Sequence, residues 1–249
     1  MEERLRGPKS KKSAQKIFSL SKIYISCWRD MLAEGIGTFI LVFAGTGAII
    51  VNTITDGTLT HLGVSFVFGA VVAALIYTLG HISGAHFNPA VTLGFCSCGF
   101  FSRGKIACYV VCYLLAQCLG AIAASTILLI TFGKVANLGA TLPLDDNWSQ
   151  TFILETILTF ILMLVILGSG LDRRAHKSFA GLAIGLTIGL EAACMGPITG
   201  ASMNPARSLG PALVAAVWQF QWVYWLAPIL GAQLATIVYR QISSECNKS

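Results

Sequence analysis

The sequence predicts an all-α membrane protein, with six transmembrane helices and two half-helices arranged as an inverted 3+3 repeat. Three observations lead there. The 249 residues are 55% hydrophobic and only 11% charged, a composition for a chain that lives in lipid. Six apolar runs come close to the 20 or so residues needed to cross a bilayer. A fifteen-residue stretch occurs twice, as GHISGAHFNPAVTLG from Gly80 and GPITGASMNPARSLG from Gly196, 116 residues apart and identical at nine positions. Such a match marks an internal duplication.

Taken in order, residues 1–30 form a polar, basic and flexible tail that carries eight of the 17 Lys and Arg. The first span is expected over residues 31–52 and the second over 60–80, followed by a half-helix from Asn88. The third covers 106–130. Residues 131–149 form a loop with Pro143, Asp145 and Asp146. The fourth covers 150–167, and a charged turn, LDRRAHK, follows at 171–177. The fifth covers 179–195, with the second half-helix starting at Asn204, and the sixth covers 221–240. The channel domain so defined is 31–242, with repeats over 31–130 and 150–242, and 243–249 is a short polar tail.

Each copy of the duplicated stretch is a helix start. Asn88 and Asn204 are good N-cap residues, and Pro89 and Pro205 then occupy the first helical position, where a missing N–H costs nothing. About ten apolar or small residues follow, a length of roughly 15 Å and half the hydrocarbon layer. The Gly-rich residues before each Asn read as extended loop. Interrupted apolar segments at matching positions of two halves point to a transport site at the midplane.

Orientation follows from the basic residues. With the N-terminus inside, 15 of the 17 Lys and Arg fall on the cytoplasmic side, as the positive-inside rule requires. Lys134 falls outside and Arg207 lies within the second half-helix. The same rule accounts for the net charge of +6, so no nucleic-acid partner is inferred. The N-terminal apolar run is too extended for a cleaved signal peptide. Both termini are then cytoplasmic. Three spans per half is an odd number, so the second half is inverted and the two half-helix N-termini meet near the midplane. Among the eight Cys there is no CxxC and no metal-ligand spacing. Cys108 and Cys112 read as small apolar filler, and no metal or cofactor is expected.

The chain resembles the aquaporin, or major intrinsic protein, family. The resemblance covers nearly everything beyond the basic tail. It is carried by the two NPA motifs (Asn88, Pro89, Ala90 and Asn204, Pro205, Ala206), by Arg207 after the second, by six correctly spaced spans, and by a Glu early in each half, AEGIGTF at 33–39 and LETILTF at 154–160. Two inverted and correctly flanked NPA motifs are highly specific.

The resemblance implies a passive channel for water and small neutral solutes that excludes protons and ions. The physics agrees: two helix N-termini, each worth roughly half a positive charge, aim at one point, and the Asn amides offer N–H donors to a passing oxygen. The resemblance further implies that carbonyls of Gly84, Ala85, His86, Gly200, Ala201 and Ser202 line the passage. Unpaired backbone groups at that depth need a wet cavity in any case. His86 either faces the pore or holds its loop as a buried donor. Arg207 should face water or a partner, since an unpaired guanidinium at membrane depth is unfavourable by several kcal/mol. The family places an Arg here at the narrow outer constriction, with Phe68, Ala192 and Ala201 as its companions. Glu34 and Glu155 match the family's pair that accepts from backbone N–H groups of the two loops. Glu191 is an additional intramembrane acid, bracing the second loop or tuning the outer mouth. Gly181, Gly185 and Gly189 form a small face for close helix packing, within the subunit or between subunits. The family assembles as homotetramers, which implies the same here, in the cell membrane.

The sequence departs from strict water channels at one position: Ala192 stands where they carry His. Two alanines opposite one Phe give a wider, more apolar opening. Ser208, Ala212 and the Tyr224–Trp225 pair match the water type instead. The expected function is therefore a water channel with leakage of small neutral solutes; the alternative is a facilitator mainly for glycerol, ammonia or hydrogen peroxide. A proton-coupled transporter would need a titratable relay at the midplane, where this chain has two Asn. An enzyme would need a nucleophile–base pair or metal ligands, and no HExxH or GxSxG motif is present, so no catalytic residue is assigned.

Overall fold

The computed structural model describes residues 9–99 and 106–243, and among these the side chains of 28–99 and 109–243. The cytoplasmic assignments of Arg103 and Lys105, the extreme N-terminus and the tail after Ser243 lie outside the described residues. Eight α-helices follow in order: α1 (Lys9–Ile54), α2 (Thr60–Ser83), α3 (Pro89–Ser97), α4 (Ile106–Phe132), α5 (Trp148–Ile166), α6 (Ala180–Thr199), α7 (Pro205–Val214) and α8 (Val223–Ile242). Five helices among the described residues are long and apolar enough to cross a membrane, from Trp28–Ile54 to Lys177–Thr199. The sixth span is α8, whose 20 residues reach about 30 Å; Gln233 and Arg240 make it less apolar.

The half-helices are as short as their sequence demands, nine residues in α3 and ten in α7. Asn88 and Asn204 hold extended backbone at the N-cap, and each side-chain oxygen accepts from the N–H two residues on, at 2.9 and 3.0 Å. Pro fills the first helical position in both.

Packing follows the duplication. α1 packs most extensively on α4, and its counterpart α5 on α8; α3 lies against α8, and α7 against α4. α2 and α6, which are counterparts, pack on each other across the two halves. Their contact is backbone to backbone. A Cβ on Gly69 would overlap the Gly185 carbonyl and sit 3.0 Å from the Gly189 nitrogen. The small face on the fifth span is thus used inside the subunit.

Most helix bounds lie within three residues of expectation, and two differ by more. α1 is helical from Lys9 instead of beginning near residue 31, because residues 9–30 contain no Pro or Gly and many good helix formers. α6 continues past Gly196 and Pro197 to Thr199, four residues beyond the expected end. After Ile166, the last turn of α5 widens into a π-turn over Leu167–Leu171.

The loop from 171 to 177, which joins α5 to α6, is clamped to the end of α8. Asp172 takes a two-pronged bond from Arg174, at 3.0 and 2.7 Å, and a third bond from the Tyr239 hydroxyl at 2.8 Å. The Arg174 side chain and N–H, with the Tyr239 hydroxyl, hold the Asp172 carboxyl below the usual carboxylate range. A lowered native value stabilises the fold above the unfolded-state value, and that stability is lost as pH falls through the native one. The clamp therefore stays closed at neutral pH.

The α2–α6 contact predicts its own test. Gly185→Val should cost more than about 3 kcal/mol through overpacking against backbone, and little folded protein should survive thermal challenge in detergent. Gly47→Ala, whose new methyl would meet Leu128 at an ordinary 3.5 Å, should leave the melting curve within a few degrees of wild type.

Candidate functional site

The site is built from the two loops that precede the half-helices. Each spanning helix ahead of them ends on a glycine in the left-handed region, Gly84 (φ 89) after α2 and Gly200 (φ 82) after α6. Positive φ then recurs at every second residue, at Ala85 and Phe87 and at Ala201 and Met203. L-residues adopt this backbone only when something holds it.

Two buried carboxylates do the holding. Glu34 of α1 accepts from the Ser83 hydroxyl (2.6 Å), the His86 N–H (2.9 Å), the Phe87 N–H (2.7 Å) and the Gln117 amide (2.8 Å). Glu155 of α5 accepts from the Thr199 hydroxyl, the Ser202 N–H and the Met203 N–H, each at 2.8 Å. The partners correspond one to one across the repeat, except that Gln117 has no equivalent. A trans peptide points its N–H and C=O in opposite directions. With the N–H groups of 86, 87, 202 and 203 turned to the carboxylates, the carbonyls of Ala85, His86, Ala201 and Ser202 are turned away from them.

The four residues lie beside a cavity of about 630 Å³. Gly84, Ala85 and His86 line it, as do Ala201 and Ser202, but Gly200 does not; Gly200 instead packs on Thr141. The cavity runs from Tyr77, His81 and Lys177, beside the connection from α5 to α6, past Asn88 and Asn204 to Phe68, Ala192 and Arg207.

The two half-helices meet there head to head, and their loops are stitched together. The Asn88 amide donates to the Met203 carbonyl at 2.7 Å, and the Asn204 amide donates to the Phe87 carbonyl at 2.8 Å. Each amide thus spends one of its two N–H bonds on the opposite loop, and one remains per side chain for the cavity.

The second layer is asymmetric. His86 Nδ1 lies 3.1 Å from the Thr92 hydroxyl, which also accepts from Gln117 at 3.0 Å and donates to the Asn88 carbonyl at 3.0 Å. Because that hydroxyl proton is already used, Nδ1 is the donor. His86 therefore holds its loop and lines the cavity as well. In the second half Ser208 takes the place of Thr92: it receives Thr141 at 2.8 Å and pairs with Ser202 at 2.6 Å.

Arg207 is buried, at 3% exposure. Its guanidinium donates to the Gly139 carbonyl at 2.8 Å and sits 5.2 Å above the Phe68 ring centroid. It forms no salt bridge; the ion pair found among the described residues is Arg174–Asp172. The carbonyl comes from the loop after α4, where Ala136, Asn137, Leu138 and Gly139 all have positive φ. Phe68, Ala192 and Ala201 share the cavity with Arg207. Glu191 is buried with no hydrogen-bond partner on either carboxyl oxygen, so it does not brace the loop by a direct bond.

Two members of this framework were not foreseen in this role: Tyr113, and Tyr224, which the sequence marked only as matching the water type. The Tyr113 hydroxyl donates to the Ser83 carbonyl and the Tyr224 hydroxyl to the Thr199 carbonyl, both at 2.8 Å. Each satisfies a carbonyl at the end of a spanning helix. The paired tyrosines lie 111 residues apart instead of 116, which hides them from an alignment of the two halves.

The family model described as "Major intrinsic protein" matches residues 21–239. The chain is 42% identical over 239 residues to "Aquaporin NIP1-2" of Arabidopsis thaliana, covering 93% of this chain and 80% of that protein. It is 44% identical over 220 residues to "Nodulin-26" of Glycine max, covering 88% of this chain and 79% of that protein. Among solved structures it resembles the aquaglyceroporin from Plasmodium falciparum with a TM-score of 0.74 and 28% identity, covering 89% of this chain and 99% of that one. The chain belongs to the major intrinsic protein family. It is an integral multi-pass membrane channel and not an enzyme.

The carboxylate braces carry a direct prediction. Glu155→Gln turns an amide N–H₂ towards backbone donors and should cost about 2–3 kcal/mol, typical of a hydrogen bond to charge lost in a buried place. Melting temperature in detergent should fall by several degrees, and Glu155→Ala should fall further. An unchanged melting curve for both variants would contradict the bracing role.

Proposed function

We propose that the protein is a passive channel for water that also passes small neutral solutes and excludes protons and ions. The observation that carries this reading is the continuous cavity past Asn88 and Asn204 at the point where α3 and α7 meet N-terminus to N-terminus. Each helix end contributes roughly half a positive charge, and Arg207 adds a whole one nearby. A cation in this low-dielectric neck is repelled on three counts. A water molecule is welcomed: its oxygen takes the remaining N–H of each Asn, and its hydrogens turn away from the centre. That orientation breaks a proton wire. On either side the carbonyls of Gly84, Ala85 and His86, and of Ala201 and Ser202, accept the hydrogens and replace bulk hydration.

Phe68, Ala192, Ala201 and Arg207 form the selectivity filter in this reading. Arg207, held by the Gly139 carbonyl and the Phe68 ring, shares the cavity with two alanines, whose small side chains favour a wide and amphipathic opening. This width supports passage of solutes such as glycerol, ammonia or hydrogen peroxide beside water. A channel mainly for glycerol is the second reading, favoured by the same alanines and by the likeness to a protein described as an aquaglyceroporin.

The channel domain extends over 31–242, preceded by a basic cytoplasmic tail and followed by a short one. The distribution of Lys and Arg supports cytoplasmic termini, and membership of the family supports a homotetramer in the cell membrane with one pore per subunit.

Stopped-flow osmotic shrinkage of proteoliposomes tests the reading. Water flux should exceed that of protein-free vesicles at least tenfold with a weak temperature dependence, with measurable glycerol, urea or ammonia flux beside it. Ala192→His should lower solute flux several-fold more than water flux. Equal loss of both would overturn the filter assignment.

A further inference from the structure

α6 should end at Pro197, and it does not. A proline has no N–H to give to the carbonyl four residues back, and its ring presses on that carbonyl. The carbonyl is that of Ala193, next to Ala192 in the filter. It is nonetheless satisfied. Nε2 of His61, at the start of α2, lies 2.9 Å from the Ala193 oxygen. A carbonyl only accepts, so Nε2 carries the proton. Gly196 leaves the room for this contact: a Cβ there would stand 3.0 Å from His61 Cε1.

The bond joins the two helices that carry two of the filter residues, Phe68 on α2 and Ala192 on α6. These helices are already fixed in mid-course by Gly69 against Gly185. At the other end the Tyr77 hydroxyl donates to the Ser178 carbonyl at 3.1 Å and accepts from the Leu182 N–H at 3.2 Å. Tyr77 and Ala193 are 116 residues apart, the spacing of the repeat. The α2–α6 pair is therefore tied at equivalent places at both ends, by a tyrosine at one and by the histidine–carbonyl bond at the other.

We propose that His61 is a positioning residue of the outer constriction: it supplies the hydrogen bond that Pro197 takes from the Ala193 carbonyl, and so sets the distance between the outer ends of α2 and α6. The proposal rests on the filter assignment above for its effect on selectivity, but the tie itself is a separate claim. With the tie cut, the end of α6 is free to move out from α2 and the neck widens, admitting the larger solute more readily than before.

The test uses His61→Phe, His61→Gln, Pro197→Ala and the double variant His61→Phe with Pro197→Ala, each as full-length protein in proteoliposomes. The readouts are the ratio of glycerol to water permeability and hydrogen–deuterium exchange over residues 193–203. His61→Phe should raise the ratio about threefold and quicken exchange at the end of α6. His61→Gln retains an N–H at nearly the same reach and should match wild type in both. Pro197→Ala restores the N–H within α6, so the double variant should also return to wild type, a coupling that a bulk steric effect of Phe would not show. An unchanged exchange pattern in His61→Phe, or a double variant as perturbed as the single, would overturn the proposal. Altered exchange with an unaltered ratio would sustain the tie and overturn its link to the filter. If His61→Phe fails to reach the membrane, rescue by Pro197→Ala supports the tie and failure of rescue overturns it.

Discussion

Backbone N–H and C=O groups cannot go unpaired in a hydrocarbon layer, and this chain breaks its helices there twice. Everything distinctive in the structure answers that constraint. Glu34 and Glu155 absorb the N–H groups of the two interrupted loops. Tyr113 and Tyr224 satisfy carbonyls where the spanning helices stop. The Asn amides join each loop to the other's carbonyl. The residues that carry the remaining carbonyls, Ala85, His86, Ala201 and Ser202, line the cavity. Pairing the N–H groups of both loops in this way leaves carbonyls of residues that line a polar cavity.

The left-handed residues Ala85, Phe87, Ala201 and Met203 belong to the same account. Without the carboxylates they would relax towards extended or helical backbone, at a gain of order 1 kcal/mol each, and the carbonyls would rotate with them. Burying an acid is unfavourable in itself, yet here each carboxylate collects three or four short donors, which is the condition under which a buried charge is tolerated. Fold and site therefore share one set of bonds: the groups that permit the break in the helix also aim the groups that meet the solute.

Much of this was legible in the sequence, because the decisive features are local. Asn–Pro after a Gly-rich stretch fixes a helix start, and doing so twice at one spacing gives the inverted repeat. Glu34 and Glu155 stand out as acids within apolar runs. What was not legible depends on contacts across long separations. Nothing near Pro197 reveals that the Ala193 carbonyl it leaves unpaired within α6 meets His61, 136 residues earlier. The share of each Asn amide spent on the opposite loop also emerges only when the halves meet. α1 reaches back to Lys9 because helix propensity there is good, which a reading by hydropathy alone passes over. Gly200, expected at the cavity from the family resemblance, is not among the residues that line it and has Thr141 beside it instead.

In the proposed function, two helix N-termini and Arg207 make an electropositive neck that conducts neutral guests and repels cations. The most direct measurement records water flux and proton flux in the same proteoliposomes, with a pH-sensitive dye inside and an imposed voltage. Rapid water movement is expected, with a proton leak no greater than that of protein-free vesicles. A proton current that rises in step with water permeability as more protein is incorporated would contradict it.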